Sequence, residues 1–230
     1  MKVEIWSDIV CPWCYIGKRR FETALAEFAH ADDVEVVWRA YELDPNAPRH
    51  REGSLADHVA RKYGMDAEQA RASQERLTDL AAEEGVEFRF DKALPGNTFD
   101  AHRLVHLASE RGVQDAMKER LLAAYLTEGA PIGDPDTLVA LAAEVGLDGE
   151  ETRDVVFGDR YTDDVRAEER DAVALGITGV PFFVIDRKYG VSGAQASSVL
   201  VDVLDNAWRE AHPLVMTVGG EMCDDDSCAI

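Results

Sequence analysis

The chain lacks any apolar run near the roughly 18 residues that a membrane helix needs, so no spanning segment is expected. Its first residues, Met1-Lys2-Val3-Glu4-Ile5-Trp6, have neither the basic start nor the long apolar stretch of an export signal and turn polar at Ser7-Asp8. We therefore expect a mature protein that begins at Met1 and works in the cytoplasm. Lysine is scarce, occurring only at positions 2, 18, 62, 92, 118 and 188. Positive charge of any kind is outnumbered, with 24 basic against 45 acidic side chains and a formal net charge of −21. Such a field repels phosphate backbones and anionic lipid, which argues against nucleic-acid and membrane partners. A dispersed acidic, lysine-poor surface is that expected of a protein kept soluble in concentrated salt, and so of a halophile. Apolar residues still make up 46% of the 230, enough to build a core.

Cysteine is also scarce. The four that exist, Cys11, Cys14, Cys223 and Cys228, form two close pairs at opposite ends of the chain. Structural disulfides are unusual in the cytosol, so close pairs there point to redox chemistry or to metal.

Along the chain, Lys2 to Trp6 reads as a strand. From Cys11 the pattern turns helical, with Ile16, Arg20, Phe21, Ala24, Leu25 and Phe28 recurring at spacings that leave a mostly apolar stripe. Val34 to Leu43 is rich in β-branched and aromatic residues and reads as a second strand, completing a βαβ unit. After the break at Asp44-Pro45-Asn46-Ala47-Pro48, residues 54–176 are helical in character, punctuated into five to seven helices. Val113, Met117, Leu121, Leu122 and Tyr125 share one face there, as do Leu138, Leu141, Ala142 and Val145. Sheet character returns at Val180 to Asp186 and again at Val191-Ser192-Gly193. Ser197 to Ala211 reads as a last helix. The plan is an α/β domain assembled from residues 1–53 and 177–215, an all-helical domain inserted at 54–176, and a tail at 216–230.

Cys11-Pro12-Trp13-Cys14 sits where the first strand gives way to the first helix. The thiolate is the attacking species in disulfide exchange, and amides at a helix start stabilise it. Pro12 suits the first turn because it has no amide hydrogen to satisfy. In this reading Cys11, at the more open end, attacks, and Cys14, one turn further in, resolves the mixed disulfide. A zinc half-site and an accidental pair are the competing readings. Downstream, Gly176 to Ile185 places Pro181 at the start of an apolar strand, where its missing donor is tolerated. A cis Val180-Pro181 bond is expected there; the alternative is a trans proline opening the strand.

These features together, CPWC between strand and helix, a helical insertion, then TGVPFFVID followed by YGVSGAQ, resemble the DsbA family of thiol–disulfide oxidoreductases. The segment Asn97-Thr98-Phe99-Asp100-Ala101-His102-Arg103 is similar to its FrnE-like branch. The resemblance covers nearly the whole chain. It implies a thioredoxin-like fold with an inserted all-helical domain over the active site, and disulfide exchange as the reaction. It makes Cys11 the nucleophile, Cys14 the resolving cysteine and Pro181 the cis-proline beside them, with the Val180 backbone pairing with substrate. No cofactor or metal is implied. Substrate proteins or low-molecular-weight thiols and disulfides are the expected partners. Well-known relatives carry a histidine between the cysteines where this chain has Pro12-Trp13, so strong oxidising power does not carry over. Two rival functions stand beside this one: a glutathione-dependent isomerase of the 2-hydroxychromene-2-carboxylate or kappa-transferase type, and a zinc-stabilised binding or chaperone module.

Secondary candidates are Asn97, His102 and Arg103, with Pro12 and Trp13, as substrate contacts. Against this, Asn97 or Thr98 reads equally as a helix cap with ordinary polar neighbours. His102 and His106 stand four apart on one helix face, as a metal pair would, without a nearby third ligand. Cys223 and Cys228 form a second pair, open to use as a redox relay, a passive clamp, free thiols or a metal site. Asp224, Asp225 and Asp226 between them should raise their thiol pKa values, which argues against the tail as primary nucleophile.

Overall fold

A computed structural model of the chain describes residues 1–50 and 53–213. Cys223 and Cys228, and the whole of the expected tail at 216–230, lie outside the described residues.

Four strands form one mixed sheet in the order β2-β1-β3-β4. Strand β1 (Lys2–Ser7) runs parallel to β2 (Glu35–Ala40), and helix α1 (Pro12–Glu27) makes the crossover. Strand β3 (Phe182–Ile185) pairs antiparallel to β1 on its other side, and β4 (Tyr189–Ser192) pairs antiparallel to β3. Strand β1 is therefore central. It is buried on both faces, and Val3, Ile5, Trp6 and even Glu4 and Ser7 have almost no surface. The Glu4 carboxylate is neutralised by Arg39 from β2 and by Arg187 beyond β3.

Strand β2 is shorter than its composition suggests. The register pairs Lys2 with Glu35 and Ser7 with Ala40, so β1 offers no backbone to Tyr41, Glu42 or Leu43 and those residues leave the sheet. The described residues between β2 and β3 hold seven α-helices: α2 (Leu55–Tyr63), α3 (Ala67–Glu83), α4 (Phe99–Glu110), α5 (Gln114–Ala123), α6 (Pro135–Glu144), α7 (Gly149–Phe157) and α8 (Thr162–Ala174). The starts of α2, α3, α6 and α7 follow from side-chain caps. Asp66 and Gln69 form a reciprocal capping box on α3, and Asp134 followed by Pro135 opens α6. Helix α5 runs into a single π turn, Ala124–Glu128, which ends at Gly129 in the left-handed region (φ 78°). The last helix, α9 (Ser197–Ala211), packs on α1.

One cluster of buried apolar side chains runs without a break from Val3, Ile5 and Ile16 at the sheet to Leu104, Met117 and Leu121 in α4 and α5. A smaller cluster of Trp6, Ala172, Ile177 and Val184 covers the sheet's other face under α8. The inserted helices thus share the sheet's core, which holds α4 and α5 against the end of β1.

Candidate active site

The end of β1 and the start of α1 bring the reactive pair together. Cys11 is the residue that caps α1, with extended backbone (φ −92°, ψ 111°), and Pro12 occupies the first helical position. The Cys14 amide donates to the Cys11 carbonyl (3.0 Å), fixing the two residues one turn apart. Both cysteines are free thiols. Gly17, one turn further, lets the ring of Pro181 lie against the helix. A Cβ at position 17 would stand 2.8 Å from Pro181 Cγ. The Val180-Pro181 bond is cis, and Cys11 Sγ stands 3.6 Å from the Val180 carbonyl oxygen.

Neither sulfur is widely exposed. Cys11 retains 4% of its surface and Cys14 none. Cys11 is less open than its place at the helix start suggests, because the insertion closes over it. What surface it has borders a recess of about 420 Å³, lined largely by apolar side chains including Trp13, Val59, Leu77, Phe90 and Tyr125. Pro12 is part of the same lining. Trp13 projects from the rim, 41% exposed. Cys11 is therefore the sulfur that a bound molecule meets, and Cys14 is reached only through it.

The two thiols act on one another, so their ionisations are unequal. Hydrogen bonding to Cys14, burial and the charge on Cys14 push the Cys11 thiol up. Burial works against a charge on Cys14 as well. The Cys11 hydrogen bond, the Lys118 ammonium and the Ser7 hydroxyl outweigh it, leaving that thiol below its ordinary range. The pair thus holds a single negative charge readily and a second only with difficulty.

Beneath the cysteines lies a buried polar layer of which the sequence singled out only His102. The Asp8 carboxylate accepts the Ile9 amide (2.7 Å), the Leu43 amide (2.8 Å) and the His102 Nε2–H (3.3 Å). Burial opposes its charge, but these partners prevail and its carboxyl sits below the usual range. Burial pulls His102 down, so its ring is neutral at pH 7. Lys118 of α5 is fully buried, and its Nζ donates to the Ser7 carbonyl (3.1 Å). A sequence signal for it existed. Lys118 stands three, four and seven residues before Leu121, Leu122 and Tyr125, on the apolar stripe itself.

The expected substrate contacts divide. Asn97 caps α4, its Oδ1 accepting the Phe99 amide (2.9 Å) and its Nδ2 donating to Glu42 (3.3 Å). Arg103 does not line the recess. It is 2% exposed and donates to the carbonyls of Val155, Val156 (3.2 Å) and Gly158 (3.0 Å) and to Asp100 (2.6 Å), closing the end of α7. Its Nε has no partner but is buried, so the guanidinium offers substrate no accessible donor. His102 faces Asp8, also inward. His106 pairs instead with Glu168 (3.2 Å) and stacks on Tyr161 (5.8 Å between centroids), so the two histidines serve different acids.

With this geometry in place, comparison with known proteins decides the family. The DSBA-like thioredoxin domain matches residues 2–205. The chain belongs to that family. The uncharacterised protein YwbO of Bacillus subtilis is 32% identical over 185 residues, covering 80% of this chain and 86% of YwbO. The crystal structure of the probable DsbA oxidoreductase SCO1869 from Streptomyces coelicolor superposes with a TM-score of 0.89 at 48% identity, over 100% of this chain and 99% of that one. At the level of fold alone, the cytosolic disulfide reductase DsbM of Pseudomonas aeruginosa superposes with a TM-score of 0.64 at 19% identity, over 91% of this chain and 100% of DsbM. The protein is thus a DsbA-like member of the thioredoxin fold, in a family of thiol–disulfide oxidoreductases. Among the described residues no helix is long and apolar enough to cross a membrane.

Proposed function

We propose that the protein exchanges disulfides through a mixed disulfide at Cys11 that Cys14 resolves. The observation that carries this is the division of access: Cys14 has no surface, and only Cys11 borders the recess. In the reducing direction, Cys11 gives its proton to the Cys14 thiolate and, now a thiolate itself, attacks one sulfur of a substrate disulfide. The substrate S–S bond breaks, a Cys11–substrate bond forms, and the first substrate sulfur leaves as thiolate. Cys14, as thiolate, then attacks Cys11 Sγ from one turn below. The mixed disulfide breaks, the second substrate sulfur leaves, and Cys11 and Cys14 close into a disulfide. Two electrons pass from the dithiol to the substrate, and the two thiol protons end on the substrate sulfurs. Run backwards, the same steps oxidise a dithiol. The poise of the surrounding thiols sets the direction.

Three features support the order of events. The helix start that holds Cys11 favours a sulfur anion. Val180 presents a carbonyl 3.6 Å from Cys11, where an extended substrate backbone can pair beside the reacting sulfur. The apolar recess excludes water from the mixed disulfide, protecting it from stray thiols. Substrate proteins and low-molecular-weight disulfides both fit this chemistry.

The test is trapping. Cys14→Ser, mixed with an aromatic disulfide, should accumulate one covalent adduct on Cys11, visible by intact mass and peptide mapping. Cys11→Ser should give no adduct at Cys14 and should lose insulin-reducing activity. Full activity in Cys11→Ser refutes the proposal.

A further inference from the structure

Two lysines are buried in this protein, and they are treated differently. Lys18 has Glu22, Asp115 (3.3 Å) and Glu119 (3.1 Å) around its ammonium. Lys118 has no carboxylate within ion-pair distance among the described residues. Its one hydrogen bond is to the Ser7 carbonyl, and the Trp38 ring lies 5.6 Å from its Nζ. A fully buried ammonium without an anion is a costly arrangement, kept where something else balances it. Asp8, on the turn into α1, is spent on the Ile9 and Leu43 amides and on His102. Glu168 of α8 is spent on Arg39 (2.7 Å), the Ala40 amide (2.7 Å) and His106. The remaining acids that bear on Lys118 are the two thiols themselves. Ser7 ties the two sides together: its carbonyl accepts from Lys118, and its buried hydroxyl, which has no hydrogen-bond partner among the described residues, favours the charged form of Cys14.

We infer that Lys118 is the counter-cation of the Cys14 thiolate, a positioning residue that helix α5 contributes to the exchange reaction. The inference rests on the proposed function and assigns its resolving step a charge partner. When the Cys11–Cys14 disulfide accepts two electrons, its S–S bond breaks and two protons are taken up. One goes to Cys11 as thiol. The other goes to the Lys118 amine, leaving Cys14 as thiolate beside the ammonium. When the disulfide re-forms, the anion vanishes and the lysine loses the charge that held its proton. Burial already brings its pKa down to about 8, despite the pull of Cys14, Asp8, Cys11 and Glu168, so the proton can leave near neutral pH. His102, the other ionisable neighbour, is held by Asp8 and carries no charge at that pH.

The experiment uses the full chain. Thiolate absorbance near 240 nm is titrated in Cys11→Ser, with the double variant Cys11→Ser/Cys14→Ser subtracting the tail cysteines. Adding K118M should raise the Cys14 midpoint by at least about one pH unit, a tenfold loss of thiolate at fixed pH. K118R, which keeps the cation, should hold the midpoint near the parent's. With Cys11 restored, above the first ionisation of the pair, K118M should shift the equilibrium with dithiothreitol about tenfold toward the protein disulfide. For two electrons that is about 30 mV more reducing. Thermal stability of K118M should be equal or higher, since a buried charge has been removed. A folded K118M with the parent's titration and equilibrium overturns the inference. So does a set in which K118M and K118Q both fail to fold, which would assign Lys118 to the fold alone. If the titration shifts while the wild type exchanges no disulfide, the charge pairing stands and the proposed function falls. If exchange is normal and the titration does not move, the reverse holds.

Discussion

Gly17→Ala isolates the contact between the reactive helix and Pro181. Two opposing effects act on it. Replacing glycine inside a helix by alanine gains roughly 0.5–1 kcal/mol, because the unfolded chain loses freedom. Against that, the new methyl would meet Pro181 Cγ at 2.8 Å and Ala194 Cβ at 3.5 Å. A proline ring cannot swing aside like the end of a long side chain, so α1 or the Val180-Pro181 segment must shift. Overpacking of this kind costs about 1–3 kcal/mol. The expected net is a loss of about 1–2 kcal/mol, which in a chain of this size lowers Tm by roughly 2–8 °C. Gly149, the first residue of α7, has nothing within 4 Å of its Cβ position, so Gly149→Ala should be neutral or slightly stabilising. The pair is measured by thermal or urea unfolding of the reduced proteins. Disulfide exchange is a second readout, since any shift moves the Val180 carbonyl relative to Cys11 Sγ. A displacement of about 1 Å should slow exchange by between about tenfold and a hundredfold. If Gly17→Ala gains stability like Gly149→Ala and keeps full activity, the packing of Pro181 against α1 is wrong.

Arg103→Met should cost about 3–5 kcal/mol, because it leaves the carbonyls at the end of α7 without their donor and the Asp100 charge with only the exposed Arg49. Exchange activity per folded molecule should be unchanged, and a specific loss of substrate affinity would return Arg103 to the site. Burial, together with repulsion from Glu169, raises the Glu42 carboxyl to about 7 despite Arg166. The folded state therefore holds a proton that the unfolded state has released, and this group's contribution to stability falls as pH rises from about 4.5 through 7. Glu42→Gln should remove that slope and be more stable than wild type at pH 8, by on the order of 2 kcal/mol; urea midpoints across pH 5–8 check this, and parallel slopes would refute it. With a net charge of −21, raising salt from about 0.1 M to about 1 M should increase Tm by screening self-repulsion, and a flat melting series would remove that argument.

The parts of the fold most readable from sequence are those whose order is local. The boundaries of α9, Ser197–Ala211, follow from its apolar stripe, and α1 begins at Pro12 because proline is at home in a first turn. The end of β2 is not local. Tyr41, Glu42 and Leu43 have strand composition, but pairing stops at Ala40 because β1 stops at Ser7. The π turn at Ala124–Glu128 likewise has no signature in composition. In the site, Cys11, Cys14 and Pro181 announce themselves by motif, whereas Arg103 misleads. Its place in the Asn97–Arg103 segment, similar to the FrnE-like branch, suggests a substrate contact, but its partners are carbonyls some fifty residues away (Val155 and Val156). Lys118 shows the opposite case. It sits on the stripe of Met117, Leu121, Leu122 and Tyr125, and a charged residue on an apolar face is the signal that a buried charge is being used.

The helices inserted between β2 and β3 do more than roof the reactive pair. Helix α4 brings His102 to Asp8, and α5 brings Lys118 to the Ser7 carbonyl at the end of β1. Both helices belong to the same continuous core as the strand they touch. A shift of α5 against β1 therefore changes the distance between an ammonium and the end of the strand that leads into Cys11 and Cys14. In a low-dielectric interior such a distance weighs heavily on the charge of the pair. Moreover, α3 supplies Leu77 to the recess and the π turn after α5 supplies Tyr125. The lining of the recess and the charge beneath Cys14 are thus carried by one packed body.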